Sequence, residues 1–247
     1  MTPYHARVAG RPGPRAAAPL VLTLAVAAWL AGCSAVGTPS PSLAPATPAP
    51  VPTAAASVPL DLCANTGADC LVQAGQYLAQ QFQPPIGFTL LDDGWDNGTY
   101  VERAIQLVRG GIDTATQSLS IVSGQLDGPT GTASAAGTSA AQFLTYVRAL
   151  KGLTLSGRAA LLVGGQPATQ VDVKVGKDNV TLFDVPISGT LEDPFELRSG
   201  EIARLVVVDV AGQRVVFVIE VFGTASMADF LATEVQPFLA SVTFPTP

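Results

Sequence analysis

Residues 203–223, "ARLVVVDVAGQRVVFVIEVFG", decide how the folded part of this chain is built. Two runs, Leu205 to Val210 and Val215 to Val221, are almost continuously apolar and rich in β-branched residues. Ala211-Gly212 lies between them, a two-residue connection of the kind that closes a β-hairpin. A strand that is apolar at every position has no face to give to water. The pair therefore predicts two central strands of a sheet that is covered on both sides.

Outward from this hairpin the same signals recur. "RAALLVGG" and "TQVDVKVG" predict a second hairpin around Gly164-Gly165. "ERAIQLVRG" and "QSLSIVSG" alternate in part, and "QYLAQQF" and "IGFTLL" flank Pro84-Pro85. Two helices break the series. Ser139 and Gln142 have the S-x-x-Q form of a capping box, with Phe143, Val147 and Leu150 on one face and Gly152 as the stop. A second helix is expected from about Ser226, carrying Phe230, Leu231, Val235, Phe238 and Leu239, and kinked or divided at Pro237. "SVTF" reads as a closing strand, and 124–138 as a small, polar, mobile loop. The fold class predicted is α+β, an antiparallel sheet with helices packed on it.

The N-terminus reads as an address rather than as structure. Arg7, Arg11 and Arg15 precede an apolar run from Ala16 to Leu30, the pattern of a signal peptide over residues 1–32. The run is shorter than the roughly 20 residues a spanning helix needs. Leu30-Ala31-Gly32-Cys33 follows it and resembles the lipobox of bacterial lipoproteins, in which the cysteine is acylated and becomes the new N-terminus. That resemblance implies a lipid anchor at Cys33 and an extracytoplasmic position on the bacterial cell membrane. Residues 33–59 hold seven prolines and no charge, which predicts an extended tether of up to roughly 80 Å.

A single domain is expected over 60–247. Cys63 and Cys70 open it and predict one structural disulfide in an exported protein, worth about 2.5 kcal/mol through closure of so short a loop. Their spacing suits neither a C-x-x-C redox motif nor a zinc site.

Composition narrows the chemistry. The chain has 247 residues, 48% of them apolar, and a net charge of −6. Without Arg7, Arg11 and Arg15 ten basic side chains face nineteen acidic ones, a net −9. Such a balance argues against nucleic acid as a partner. His5 is the sole histidine and would leave with the signal peptide, so histidine-based triads and imidazole metal sites are excluded from the mature chain. Nucleotide-binding glycine motifs and serine-hydrolase elbows are also missing from the sequence, and no cofactor is implied.

Carboxylates remain. "DDGWDNGTYVE" at 92–102 fails the calcium-loop pattern, because Gly94 and Asn97 stand where a ligand and a glycine are required. A turn built on Asp96-Asn97-Gly98 is the simpler account. Asp92 and Asp96 stay as ligand-binding candidates with Trp95, whose ring suits either stacking on a ligand or the core. "EDPFELRSGE" at 192–201 offers Glu192 and Glu196 as an acid–base pair, or a solvated hairpin tip.

"AGQYLAQQFQPPIGFTLLDDGW", "LLVGGQPATQVDV" and "FLATEVQPFLASVTF" together resemble bacterial envelope lipoproteins with a PsbP-like domain, including the LpqN-type group. The resemblance spans most of residues 70–244. It implies an α/β/α sandwich acting as a binding or accessory module with no shared catalytic residues. Its partner would be an envelope protein, a glycan or an apolar small molecule. Two further readings stand beside it: a carrier of a lipid or other apolar ligand, with a cavity lined by Phe183, Phe195, Phe217 or Phe222, and a carboxylate-dependent hydrolase.

Overall fold

The computed structural model describes residue 62 and residues 71–111, 114–124, 136–188 and 191–245, all within a unit that spans Ala56–Pro247. The signal segment 1–32, the tether 33–59, Cys33, Cys63, Cys70 and most of the 124–138 segment lie outside the described residues. In chain order the strands are β1 (Leu71–Val72), β2 (Gly75–Ala79), β3 (Ile86–Leu90), β4 (Trp95–Val101), β5 (Ala104–Arg109) and β6 (Gln117–Ser123). Helix α1 (Ala140–Ala149) follows, then β7 (Leu153–Val163), β8 (Gln166–Val175), β9 (Val180–Ser188), β10 (Leu191–Leu197), β11 (Ile202–Val210) and β12 (Gln213–Val221). The last segment holds α2 (Met227–Phe230), a π-helical turn at Leu231–Val235, and α3 (Gln236–Ser241).

Eight strands form one sheet in the order β1-β4-β5-β6-β12-β11-β8-β7, every adjacent pair antiparallel. The apolar hairpin β11–β12 lies in its middle, with Val206 opposite Phe217 and Val207 opposite Val216. Ala211 and Gly212 take φ of 49° and 78°, the doubly left-handed turn whose twist matches the strands it joins. Alternate side chains of the hairpin enter two cores. Val206, Val208, Val215, Phe217 and Ile219 join Trp95, Phe230 and Phe238 on one face. Leu205, Val207, Val216 and Val218 join Phe143, Val147 and Phe183 on the other. This is why the run is apolar at nearly every position: helices and hairpins cover both faces of the sheet. The first face carries the separate β2–β3 hairpin, α2 and α3; the second carries α1 and the β9–β10 hairpin. The α+β class, and the layering of helices on both faces, are as the sequence implies.

Local chemistry sets the helix ends. The Gln142 N–H donates to Ser139 Oγ at 3.3 Å and the Ser139 N–H donates to Gln142 Oε1 at 3.2 Å, the reciprocal capping box. Pro237 sits in the first turn of α3, directly after the π turn, and the backbone stays helical through Val235 and Gln236, so the helix changes its hydrogen-bond pattern there instead of breaking.

Four expectations need correction. Asp96-Asn97-Gly98 is not a turn: it lies inside β4, which bulges between Asn97 and Thr99. The bulge falls at Gly98, where a Cβ would lie 2.9 Å from Gln106 Oε1. Residues 192–197 are not a hairpin tip but strand β10, paired with β9 along its length. Pro186 and Pro194 hide this pair from a sequence reading, and a separate two-stranded sheet tolerates them at its edges. "SVTF" makes no strand beyond one bridge between Thr243 and Gly87, because α3 already takes Ser241. That bridge needs a glycine, since a Cβ at Gly87 would meet Thr243 Oγ1 at 2.5 Å. Finally, Phe183 and Phe217 are fully buried packing residues. Phe183 packs against Phe143 and Phe195 with centroids at 6.0 and 5.1 Å, and Phe217 packs against Phe238 at 6.3 Å. Phe222 lies under the Arg198 guanidinium at 5.1 Å.

Candidate functional site

Trp95 opens β4 and turns into the first core, where 2% of it is exposed. Its ring packs against Phe230 at 6.1 Å and is roofed by the Arg109 guanidinium at 4.8 Å. Arg109, the last residue of β5, stands opposite Trp95 in register. Its Nη1 lies 3.1 Å from Glu234 Oε1, in the π turn, and 3.6 Å from Asp92 Oδ2. Burial pushes the Glu234 carboxyl up from its ordinary value; its hydrogen bond to Asp92 adds to this, and Arg109 opposes it. Asp96, the next residue on β4, points to the other side of the strand and stays outside the group. Of the three candidate residues, then, Trp95 and Asp92 are brought together and Asp96 is not.

Beside Trp95 and Glu234 the core leaves about 10 Å³, room for one water. The Trp95 Nε1–H is buried without a described protein partner, and Trp95 is one of the residues that line this space. No face of the indole is open to a ligand. Chemically the cluster is a latch: one cation and two carboxyls hold the C-terminal helices onto the sheet.

A second carboxyl pair was hidden in the apolar run. Glu220 on β12 is fully enclosed and its carboxyl is pushed well up, first by burial and then by the neighbouring Glu201, to which it hydrogen-bonds. Glu201 Oε2 accepts the Arg198 N–H at 2.7 Å. Ser118, opposite Glu220 in register, and Ser120 place two more hydroxyls at this end of the sheet. Glu196, one of the pair expected from sequence, is instead exposed and takes only a 3.4 Å contact from Thr181 Oγ1. The side chain of Glu192 is not described. A lone Glu between Ile219 and Val221 was the only signal for Glu220.

The larger space is a groove of about 300 Å³ between the second half of α1 and the edge strand β7. Its lining is Leu144, Arg148, Leu155, Ser156, Gly157, Arg158 and Val171. Leu144 and Arg148 are four residues apart on α1 and share a face. On β7 the register shifts between Ser156 and Ala159, around Gly157 with φ of +61°. A Cβ at Gly157 would meet Asp172 Oδ2 at 2.6 Å, so the position calls for a glycine, and Arg158 follows it on the rim. Arg148 and Arg158 are exposed and form no ion pair with another described residue. Asp172, opposite Ser156 in register, is engaged by Arg204 Nε at 2.7 Å. The volume falls at the lower end of the range for small-ligand pockets.

No family model matches the sequence, and no curated protein matches it. Solved structures resemble it over part of their length. A protein of Bacteroides thetaiotaomicron VPI-5482, solved by crystallography, has a TM-score of 0.37 and 9% identity over 65% of this chain and 45% of its own. The solution structure of a cyanobacterial PsbP from Synechocystis sp. PCC 6803 has a TM-score of 0.39 and 12% identity over 74% of this chain and 99% of its own. The chain therefore spans less than half of the first protein and nearly all of the second. At these values neither likeness carries a function across.

Proposed function

We propose that this chain is a lipid-anchored protein of the bacterial cell envelope whose folded domain is a non-catalytic binding module. The lipobox-like "LAGC" ending at Cys33 supports the anchor, and the proline-rich 33–59 supports a tether that holds the domain off the membrane. One observation carries the binding reading: the open groove between α1 and β7, where two arginines lacking described acidic partners stand in a chain of net charge −6. Unpaired guanidinium groups beside apolar side chains favour an occupant over bare water. The packed phenylalanines argue against a carrier that encloses its cargo. For a hydrolase, the two carboxyl pairs are poorly placed: one is a helix latch and the other lies inside the sheet.

Photo-crosslinking in the native host tests this. A crosslinking residue at Ser156, in the groove, is expected to yield a defined adduct that the same residue at exposed Lys177 does not. Equal labelling at both positions, or none at Ser156, would overturn the reading.

A further inference from the structure

We infer that the α1–β7 groove holds an amphipathic anion, an aliphatic body with a single carboxylate or phosphate head. This rests on the binding-module reading and names the ligand class for that same site.

Both walls of the groove run from apolar to cationic. On α1 the order is Leu144, which is almost fully buried, and then Arg148 in the last turn. On β7 it is Leu155, half-buried against the second core, and then Arg158 beyond the bulge. Val171 on β8, 3% exposed, is the floor between them. An occupant matching both walls has an apolar part on Leu144, Leu155 and Val171 and a negative end between the two guanidinium groups. Each guanidinium can give two parallel N–H bonds to a carboxylate or phosphate, and neither must first break an ion pair with a described side chain. A neutral hydrocarbon would leave the arginines unused, and a bare inorganic anion would leave the exposed part of Leu155 wet. The volume suits one short chain better than a diacyl lipid drawn wholly inside. The bulge and the charge at Arg158 also discourage a peptide strand from adding to the β7 edge at this point.

The test uses the purified full chain and dansylundecanoate, a fluorescent carboxylate amphiphile whose emission rises in apolar surroundings. Saturable binding is expected, about tenfold or more weaker in Arg148→Gln and in Arg158→Gln, and weakened as much when the probe is its methyl ester. Both variants are surface changes, and an unchanged melting temperature confirms that they fold. Decanoate and decyl phosphate should each displace the probe. Displacement by phosphatidylglycerol vesicles but not by decanoate would assign the head to a bilayer lipid; the reverse would assign it to a free amphiphile. No saturable binding, equal affinity in the double variant, or equal displacement by phosphatidylcholine vesicles would overturn the inference. If the probe fails while crosslinking at Ser156 persists, only the ligand class falls; if both fail, the binding module falls with it.

Discussion

The guanidinium of Arg214 lies over the ring of Phe143, 4.8 Å from its centroid, and neither residue is exposed to solvent. Arg214 comes from β12 and Phe143 from α1, so the pair joins the central hairpin to the helix above it. Nη2 donates to the Gly124 carbonyl at 2.8 Å, and Nη1 to the carbonyls of Ala136 and Gly137 at 2.6 and 2.7 Å. Opposite it in register, Asp209 accepts the Ala140 N–H at 2.7 Å at the start of α1. Burial brings the guanidinium down to about 10, against the pull of Asp209, which leaves it cationic at neutral pH. One side chain thus fixes both described ends of the 124–138 segment and the position of α1.

Replacing Arg214 with Ala should therefore destabilise the fold by about 3 kcal/mol, because one buried and two partly buried carbonyls lose their donor and the ring of Phe143 loses its cover. Urea denaturation would measure this. A loss below about 1 kcal/mol would show that the carbonyls find other partners.

Glu220 predicts a pH dependence. Its carboxyl titrates above the ordinary value of 4.5, so the native state holds the proton more tightly than the unfolded chain does. The stability it contributes is fully present below about pH 4.5 and is lost as pH rises through its raised native pKa. Glu234, shifted in the same direction, adds to the trend. Glu220→Gln keeps a neutral side chain in place at every pH. It should raise the melting temperature at pH 8, change it little at pH 4, and flatten the profile between them. Scanning calorimetry at the two pH values would refute this if the variant were less stable at pH 8.

Ala211 holds a left-handed backbone conformation in the central hairpin turn, at φ 49°. That conformation is strained for alanine and natural for asparagine before glycine. Ala211→Asn should stabilise the protein by about 0.5–1 kcal/mol, and Ala211→Val should destabilise it. Thermal unfolding of both variants would decide, and a more stable valine variant would contradict the turn geometry.

Cys33→Ser tests the anchor. The variant should lose membrane fractionation and palmitate labelling in a bacterial host; identical behaviour of the two chains would remove the lipoprotein reading. Cys63 and Cys70 are expected to give one intramolecular bridge in the unreduced protein, whose reduction costs about 2.5 kcal/mol. Two free thiols by mass spectrometry would exclude it.

How far the sequence reaches can be seen at single positions. Ser139 and Gln142 act only on the first turn of their own helix, so the capping box was legible and occurs where the spacing predicts. Gly164-Gly165 likewise encodes its turn through local backbone preference, as Gly212 does beside the strained Ala211. The sequence reading missed the strand in "EDPFEL" because Pro194, and Pro186 in the preceding β9, disfavour a sheet, and pairing overrode both. It also read Asp96-Asn97-Gly98 as a turn, since a bulge and a turn use the same residues and only the neighbouring β5 separates them.

By itself the sequence determined the class: the almost unbroken apolar hairpin 203–223 requires a sheet covered on both faces, and the helical faces at 140–149 and 227–241 supply part of the cover. It also holds the residues, from Arg7 to Cys33, on which the expectation of an N-terminal address rests. Only the tertiary structure decided which charges meet. Arg109 joins Glu234 across 125 residues, Glu220 finds Glu201, and Arg148 and Arg158 come to flank one groove. Those juxtapositions depend on the order of strands in the sheet and on a single bulge at Gly157. Local propensity is blind to both, since hydrophobic pattern sets which face a side chain takes but not which distant side chain shares that face.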